Sequence, residues 1–303
     1  MIKEEIFKIK KTGLLFIVFF IFTFLIIQLL FPLNHIESFE IHFIDVGQGD
    51  AILLRDPGGY DILIDGGFPQ QEQNYKLNRY LKSAGVRNLS AVFLTHPHLD
   101  HYGGLIQVLE EFPVFYFFTT GVESRAQSYL KLLEIIEYLG IDHRKVHRGD
   151  MIRAGGITID ILHPREEFLL GSFNNLSLVF EVNLKGLKIL FTGDIESETE
   201  AQLVRQNLLN RVDILKVAHH GSATSSSADF LKIVDPAVAV IQAGKNNIFH
   251  PAPEVIARLE DRNIQVFRTD EDGEVVFGWN GSKLYLLEGG ISGFIRKLYK
   301  RAI

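Results

Sequence analysis

A chain of 303 residues holds one large domain or two small ones, and a 47% share of hydrophobic residues supplies a sizeable core plus one membrane segment. Cysteine is absent, which excludes disulfides, thiolate metal ligands and cysteine nucleophiles. The net charge of −6 divides unevenly: Lys3, Lys8, Lys10 and Lys11 outweigh Glu4 and Glu5 in residues 1–31, and the remaining chain is acidic, with no long-range attraction for nucleic acid.

Residues 1–12 read as a cytoplasmic N-terminus, 13–31 as a transmembrane anchor and 32–38 as a linker. The run Gly13–Phe31 carries no charge, and at 1.5 Å per residue it reaches roughly 28 Å, close to the hydrocarbon thickness of a bilayer. A buried core helix rarely tolerates apolar residues around its whole circumference. A cleaved signal peptide has a shorter apolar region, and the following FPLNHIES lacks a small-x-small cleavage pattern. Lysines before the run and Glu37 and Glu40 after it orient a single-pass membrane protein with its soluble part outside the cytoplasm.

Short apolar runs between turn signals then predict strands over Phe39–Val46, Ala51–Arg55 and Tyr60–Ile64, a helix over Gln71–Ala84 and a strand over Ala91–Leu94. Helices are expected over Gly104–Glu111 and Glu123–Leu139, with strands Val114–Thr119 and Ile157–His163. A second series follows: strands Leu176–Leu184 and Leu187–Thr192, a helix over Glu196–Leu208, strand Asp213–Ala218, a helix near Ala228–Ile233, strand Ala237–Gln242 and helix Pro253–Asn263. Strands Gln265–Arg268, Glu274–Gly278 and Lys283–Leu287 close the domain, and 291–303 form a basic amphipathic tail that suits either anionic lipid or a packed or frayed terminal helix.

The two series share a plan. Each has a strand, a turn and a strand that ends in an aspartate beside glycine, Asp65-Gly66-Gly67 in the first and Gly193-Asp194 in the second. Each continues through a helix to an apolar strand that ends in histidines, His96 and His98 or His219 and His220. Strands alternating with helices imply two helix-covered sheets, and the duplicated plan predicts an αββα sandwich over 39–290 with those strand ends along one edge.

His96, His98, Asp100 and His101 put four imidazole and carboxylate ligands into six residues. Four such groups cannot all face one ion, so the spacing predicts a pair of sites, His96 and His98 on one divalent cation and Asp100 and His101 on the other. A polar surface loop is the competing reading. It fits poorly with the apolar strand before the segment and with Gly103-Gly104 after it, where a helix begins.

THPHLDHYGG resembles the HxHxDH signature of the metallo-β-lactamase superfamily, with ILIDGG, FTGD and KVAHHGS following in the family's order. FIDVGQGDAILL, NNLSLVF, ILHP, HHGSATSSS, the late FHP and FRTDEDGEVVF further resemble the extracytoplasmic hydrolase domain of ComEC-type competence proteins, over residues 39–280. The resemblance implies the αββα metallo-β-lactamase fold and two divalent metal ions, Zn or Mn. It implies that Asp194 bridges both metals, that Asp65 supports the ligand loop, and that His220 joins Asp100 and His101. His219 then contacts substrate, although His219 and His220 compete for the ligand role. His163 stands where many members place a third histidine; the ComEC-like pattern lacks one, which leaves His163 as a strand-end residue.

The expected nucleophile is a hydroxide bridging the two metals, oriented by Asp194, with Asp100 needed for activity and His219 or His250 assisting the leaving oxygen. His250 has a second reading as a cap of the helix near Pro253. Asn174, Asn175, Ser222 and Thr224 are expected to line the cleft. The resemblance implies a phosphodiester substrate, DNA or a cell-surface polymer, and no obligate protein partner is expected. A lactonase, thioesterase or β-lactamase fits the fold equally, and a non-catalytic metal-stabilised surface binding module is the alternative outside enzymes.

Overall fold

In a computed structural model of the chain, the described residues are 38–69, 76–166, 171–245, 247–287 and 295–299, with Phe19, Phe22 and Thr23. The anchor expected over 13–31 lies outside them apart from those three residues, and among the described residues no helix is long and apolar enough to cross a membrane. The chain divides into two units, Met1–Glu37 and Ser38–Ile303, and the second carries every strand among the described residues.

Strands Phe39–Phe43 (β1), Ile52–Arg55 (β2) and Asp61–Ile64 (β3) form an antiparallel meander. β1 stops at Phe43, ahead of its expected end at Val46, and Asp45 turns the chain by accepting the Gly47 N–H at 3.0 Å. Helix Lys76–Ser83 (α1) precedes strand Leu89–Phe93 (β4), which runs parallel to β3. Helices Leu99–Tyr102 (α2) and Leu105–Glu111 (α3), strand Val114–Thr119 (β5), helix Gln127–Tyr138 (α4) and strand Asp142–Lys145 (β6) complete the first series.

The second series repeats the arrangement. Strands Met151–Ala154 (β7), Ile157–His163 (β8), Val179–Leu184 (β9) and Leu187–Phe191 (β10) pair antiparallel. Helix Ser197–Arg205 (α5) then leads to strand Ile214–Lys216 (β11), parallel to β10. Helix Ala228–Val234 (α6), strand Val238–Ile241 (β12), helix Pro253–Glu260 (α7) and strand Gln265–Arg268 (β13) extend that sheet. The turn of helix Thr269–Asp272 (α8) and strands Val275–Trp279 (β14), Leu284–Leu287 (β15) and Ile295–Tyr299 (β16) return to the first sheet.

Among the described residues the strand orders are β16-β15-β14-β1-β2-β3-β4-β5-β6 and β13-β12-β11-β10-β9-β8-β7. Strand alternation sorts apolar side chains into layers. Ile41, Phe43, Ile62, Phe93, Phe180, Ile189, Phe191 and Val240 fill the space between the sheets. Leu53, Leu63 and Val92 point the other way, toward Leu81 of α1, Val108 of α3 and Leu132 of α4. Leu190, Leu215 and Ile241 likewise meet Leu203 of α5, Phe230 of α6 and Leu259 of α7. The result is the expected αββα sandwich.

Three elements differ from expectation. β6 (DHRK) is fully exposed and charged, so it has no apolar period to read; its backbone pairs with β5 at the sheet edge. β7 pairs with β8 across Gly155-Gly156, a turn with φ +58° at Gly155. Ile295–Tyr299 is a strand on the open edge of β15 where the tail admitted a terminal helix, because the edge offers unpaired backbone groups.

Candidate metal centre

The chemistry-bearing residues sit just past the carboxyl ends of β3, β4, β10 and β11, where open α/β sheets place their crevices. Sharp turns put them there. Asp65 has φ +55°, Gly193 φ +49°, and His219 and His220 have φ +51° and +53° in succession. Left-handed backbone costs a non-glycine residue of order 1–3 kcal/mol, so the surrounding fold must hold these turns in place. A Cβ on Gly49 would overlap the Asp100 carbonyl oxygen, and one on Gly104 that of Gly66; glycine lets these loops lie against the ligand segment.

Asp194 is the centre of the cluster. Its Oδ2 lies 3.2 Å from His101 Nε2, 3.5 Å from His220 Nε2 and 3.7 Å from His96 Nε2. His98 Nδ1 is 2.9 Å from His96 Nε2, and Asp100 Oδ2 is 3.3 Å from His220 Nε2. The structure therefore brings together His96, His98, Asp100, His101, Asp194 and His220, residues spread over 125 positions of chain.

The far sides of the rings are anchored, which decides which nitrogen faces inward. Asp65, fully buried, accepts the Thr95 N–H at 2.8 Å and the Thr95 hydroxyl at 2.7 Å, and its Oδ2 takes the His101 Nδ1–H at 2.8 Å. With its proton committed to Asp65, Thr95 Oγ1 accepts from His96 Nδ1 at 3.1 Å. The His220 Nδ1–H goes to the Gln242 carbonyl at 2.9 Å. Nε2 of His96, His101 and His220 is thus the nitrogen that each ring turns toward Asp194.

Two buried atoms in the middle, Asp194 Oδ1 and His220 Nε2, have no hydrogen-bond partner. An unsatisfied buried polar group costs about 1–3 kcal/mol, so two of them within one His/Asp cluster call for a ligand. The donor set suits a divalent cation: His96, His101 and Asp194 have ligand atoms within 4.8 Å of one another, as do Asp100, His101 and His220. Burial opposes charge on His101 and His220, but Asp194, with Asp65 and Asp50, outweighs it and raises both imidazoles, His220 to about 10. Burial also opposes ionisation of Asp194, and His101 and His220 outweigh it to hold the carboxyl well below its usual range. A cation bound here competes with those imidazole protons, so its affinity rises with pH.

Around this cluster the other sequence-predicted residues separate. His219 lies beside it, with Nε2 4.0 Å from Asp194 Oδ2 and Nδ1 3.8 Å from Glu196 Oε1. His250 stands next to His219, ring centroids 5.4 Å apart; the N-cap of α7 is Ala252, so His250 is not the cap. Asn174 reaches His219 Nε2 at 3.4 Å. Asn175 does not: its side chain accepts the Glu196 N–H and the Thr199 hydroxyl, both at 3.0 Å, and fixes the start of α5. Ser222 meets Thr224 at 3.1 Å, and Thr224 in turn donates to Glu196 at 2.9 Å.

His163 Nε2 donates to the Asn175 carbonyl at 2.8 Å; like His98 it falls in none of the His/Asp clusters among the described residues, but His98 lies against His96 at 2.9 Å. Replacing His163 by alanine should leave the metal content of the purified protein unchanged; loss of one equivalent, measured by elemental analysis, contradicts this placement.

Sequence reasoning missed Asp50 and Lys216. Both are buried, with Nζ 2.6 Å from Asp50 Oδ2, and Asp50 Oδ1 is 3.2 Å from His220 Nδ1. Burial opposes the Asp50 charge, and Lys216, then His220, outweigh it and lower its pKa. The available signal was an aspartate in a glycine-rich turn ahead of the apolar run Ala51–Leu54.

Residues 44–115, which carry Asp65 and the whole HPHLDH segment, match the family model described as the Metallo-beta-lactamase superfamily. This domain belongs to the metallo-β-lactamase superfamily. It is 31% identical over 255 residues to ComE operon protein 3 of Bacillus subtilis, covering 78% of this chain and 33% of that protein. It is 31% identical over 260 residues to competence protein ComA of Neisseria gonorrhoeae, covering 84% and 33%, and 29% identical over 251 residues to recombination protein 2 of Haemophilus influenzae, covering 82% and 30%. The resemblance to ComEC-type competence proteins thus extends over most of the chain, while the chain spans about a third of the length of these relatives.

Solved structures repeat the metallo-β-lactamase fold at low identity. A metallo hydrolase from the archaeon Ignicoccus hospitalis superposes with a TM-score of 0.51 at 18% identity, covering 78% of this chain and 98% of that one. The β-hydroxylase CmlA from Streptomyces venezuelae superposes with a TM-score of 0.52 at 14% identity, covering 76% and 52%. The His and Asp groups gathered at the strand ends give this superfamily domain the residues to hold a divalent metal.

Proposed function

We propose that this chain is a membrane-anchored phosphodiester hydrolase that works with two divalent cations, Zn or Mn. The observation that carries the reading is the convergence of three inward-facing imidazole nitrogens on the buried Asp194 carboxylate. His96, His98 and Asp194 would hold one cation, and Asp100, His101, His220 and the shared Asp194 the other. Cations held there activate water and neutralise charge on a phosphoryl oxygen.

The chain's own residues do the rest. Asp65 holds Thr95 and His101, and through them the geometry of both ligand sets. His219, part-exposed beside Asp194, would contact the substrate, with its ring set by the Asn174 amide that donates to Nε2 and by Glu196 near Nδ1. Relatives named for competence and recombination direct the choice of substrate toward the phosphodiesters of DNA. The uncharged run 13–31 supports a single-pass anchor with the hydrolase outside the cytoplasm.

Turnover of bis-p-nitrophenyl phosphate by the full chain in detergent with manganese or zinc, beside a lactone and a cephalosporin, tests the reading. Phosphodiester turnover well above the other two is expected. Preferential lactone or cephalosporin hydrolysis points to the other enzyme class, and metal binding without any turnover points to a binding module.

A further inference from the structure

We propose that Phe249, with the cavity lined by Asn247, forms a subsite for the nucleotide next to the cleaved phosphate, which directs the enzyme to single-stranded nucleic acid; this rests on the phosphodiesterase reading above. Ile248 and Phe249 are 87% and 75% exposed, whereas most large apolar side chains of this domain are buried in its three cores. The exposed pair is mounted on a built frame. Asn247 Oδ1 accepts the Phe249 N–H at 2.9 Å and the His250 N–H at 3.2 Å, and Asn247 Nδ2 donates to Gln48 Oε1 at 2.8 Å.

That frame adjoins the metal centre on two sides. His250, the next residue, lies 5.4 Å from the His219 ring. Gln48 belongs to the same turn as Asp50, which is 3.2 Å from His220, and Gly49 between them lies against the Asp100 carbonyl. Gln48 and Asn247, with Lys76 and Lys245, line a cavity of about 540 Å³, the size of a small-ligand pocket. Asp45 lines the cavity too and pairs with Lys76 at 3.7 Å, so the cavity offers two amides, two ammonium groups and one carboxylate to the polar edges of a nucleotide.

Access to the base decides between single and double strands. Stacking on an exposed aromatic ring tolerates any base, but it requires a base that is not already closed in a helix.

The test compares the unsubstituted full chain in detergent, with manganese, against Phe249→Ala and Phe249→Trp. The ratio of kcat/KM for an oligothymidylate to kcat/KM for bis-p-nitrophenyl phosphate should fall about tenfold in Phe249→Ala, through KM, and be retained in Phe249→Trp. An unchanged ratio in Phe249→Ala overturns the subsite. Absence of bis-p-nitrophenyl phosphate turnover by the unsubstituted chain refutes the phosphodiesterase reading instead. The added tryptophan emission in Phe249→Trp should be quenched by the oligonucleotide. Emission that shifts to the blue in lipid nanodiscs and ignores the oligonucleotide marks a lipid-inserting tip and also overturns the subsite.

Discussion

Replacing Asp194 by asparagine should reduce hydrolysis by more than about 100-fold and remove bound metal. The loss should exceed the 10–100-fold that outer-shell partners of a metal site typically cost, because one Asp194 oxygen stands within 3.7 Å of three imidazole nitrogens. Asparagine keeps the volume but offers a neutral amide in place of the carboxylate at the point where both ligand sets meet. Asp100→Ala removes the carboxylate beside His220 and should also abolish activity, with a fall in metal content. Either variant with full activity and full metal content would show that these carboxylates do not hold the cations. Asp65 behaves differently. It holds Thr95 and His101 from behind, so Asp65→Asn should weaken metal binding within the outer-shell range and leave measurable turnover.

Lys216→Met should destabilise the fold by about 3–5 kcal/mol, because the Asp50 carboxylate then stays buried without its cation. For a domain of this size the shift in Tm is on the order of 10 °C. The double variant Asp50→Asn with Lys216→Met removes both charges and should recover most of the loss, since a buried pair replaced as a unit is often near neutral. The surface pair Lys82–Glu111 is the control. Its side chains are 58% and 34% exposed, so Lys82→Met should change stability by less than about 1 kcal/mol. Chemical denaturation of the variants, stripped of metal, measures all three. A Lys216→Met effect as small as that of Lys82→Met would mean that water reaches Asp50.

The layout of the sandwich was readable because its strands are buried on both faces. Runs such as ILLR and DILI, then ILF and VAVI, leave little choice of element, and the repeated hairpin pairs them in the same way in each half. The ligands were readable for a related reason. Asp65, His96, Asp194 and His220 fall one to four residues past strand ends, where the loops of the sandwich gather to face a site. What could not be read depends on partners distant in sequence. Nothing local to Lys216 announces Asp50, which lies 166 residues earlier and meets it only after the two sheets pack. Asn174 and Asn175 are identical neighbours, and only the turn that places Glu196 and Thr199 beside the second decides which amide reaches His219. β6 escaped for the opposite reason: a charged edge strand held by backbone pairing and polar contacts such as His143 with Thr119 at 3.0 Å leaves no apolar pattern in its side chains.

The two-cation centre is tested most directly by calorimetric titration of the chelator-stripped full chain with manganese or zinc. The geometry around Asp194 predicts two equivalents bound per chain, with affinity rising with pH as His101 and His220 give up their protons. A single equivalent, or none, would contradict it.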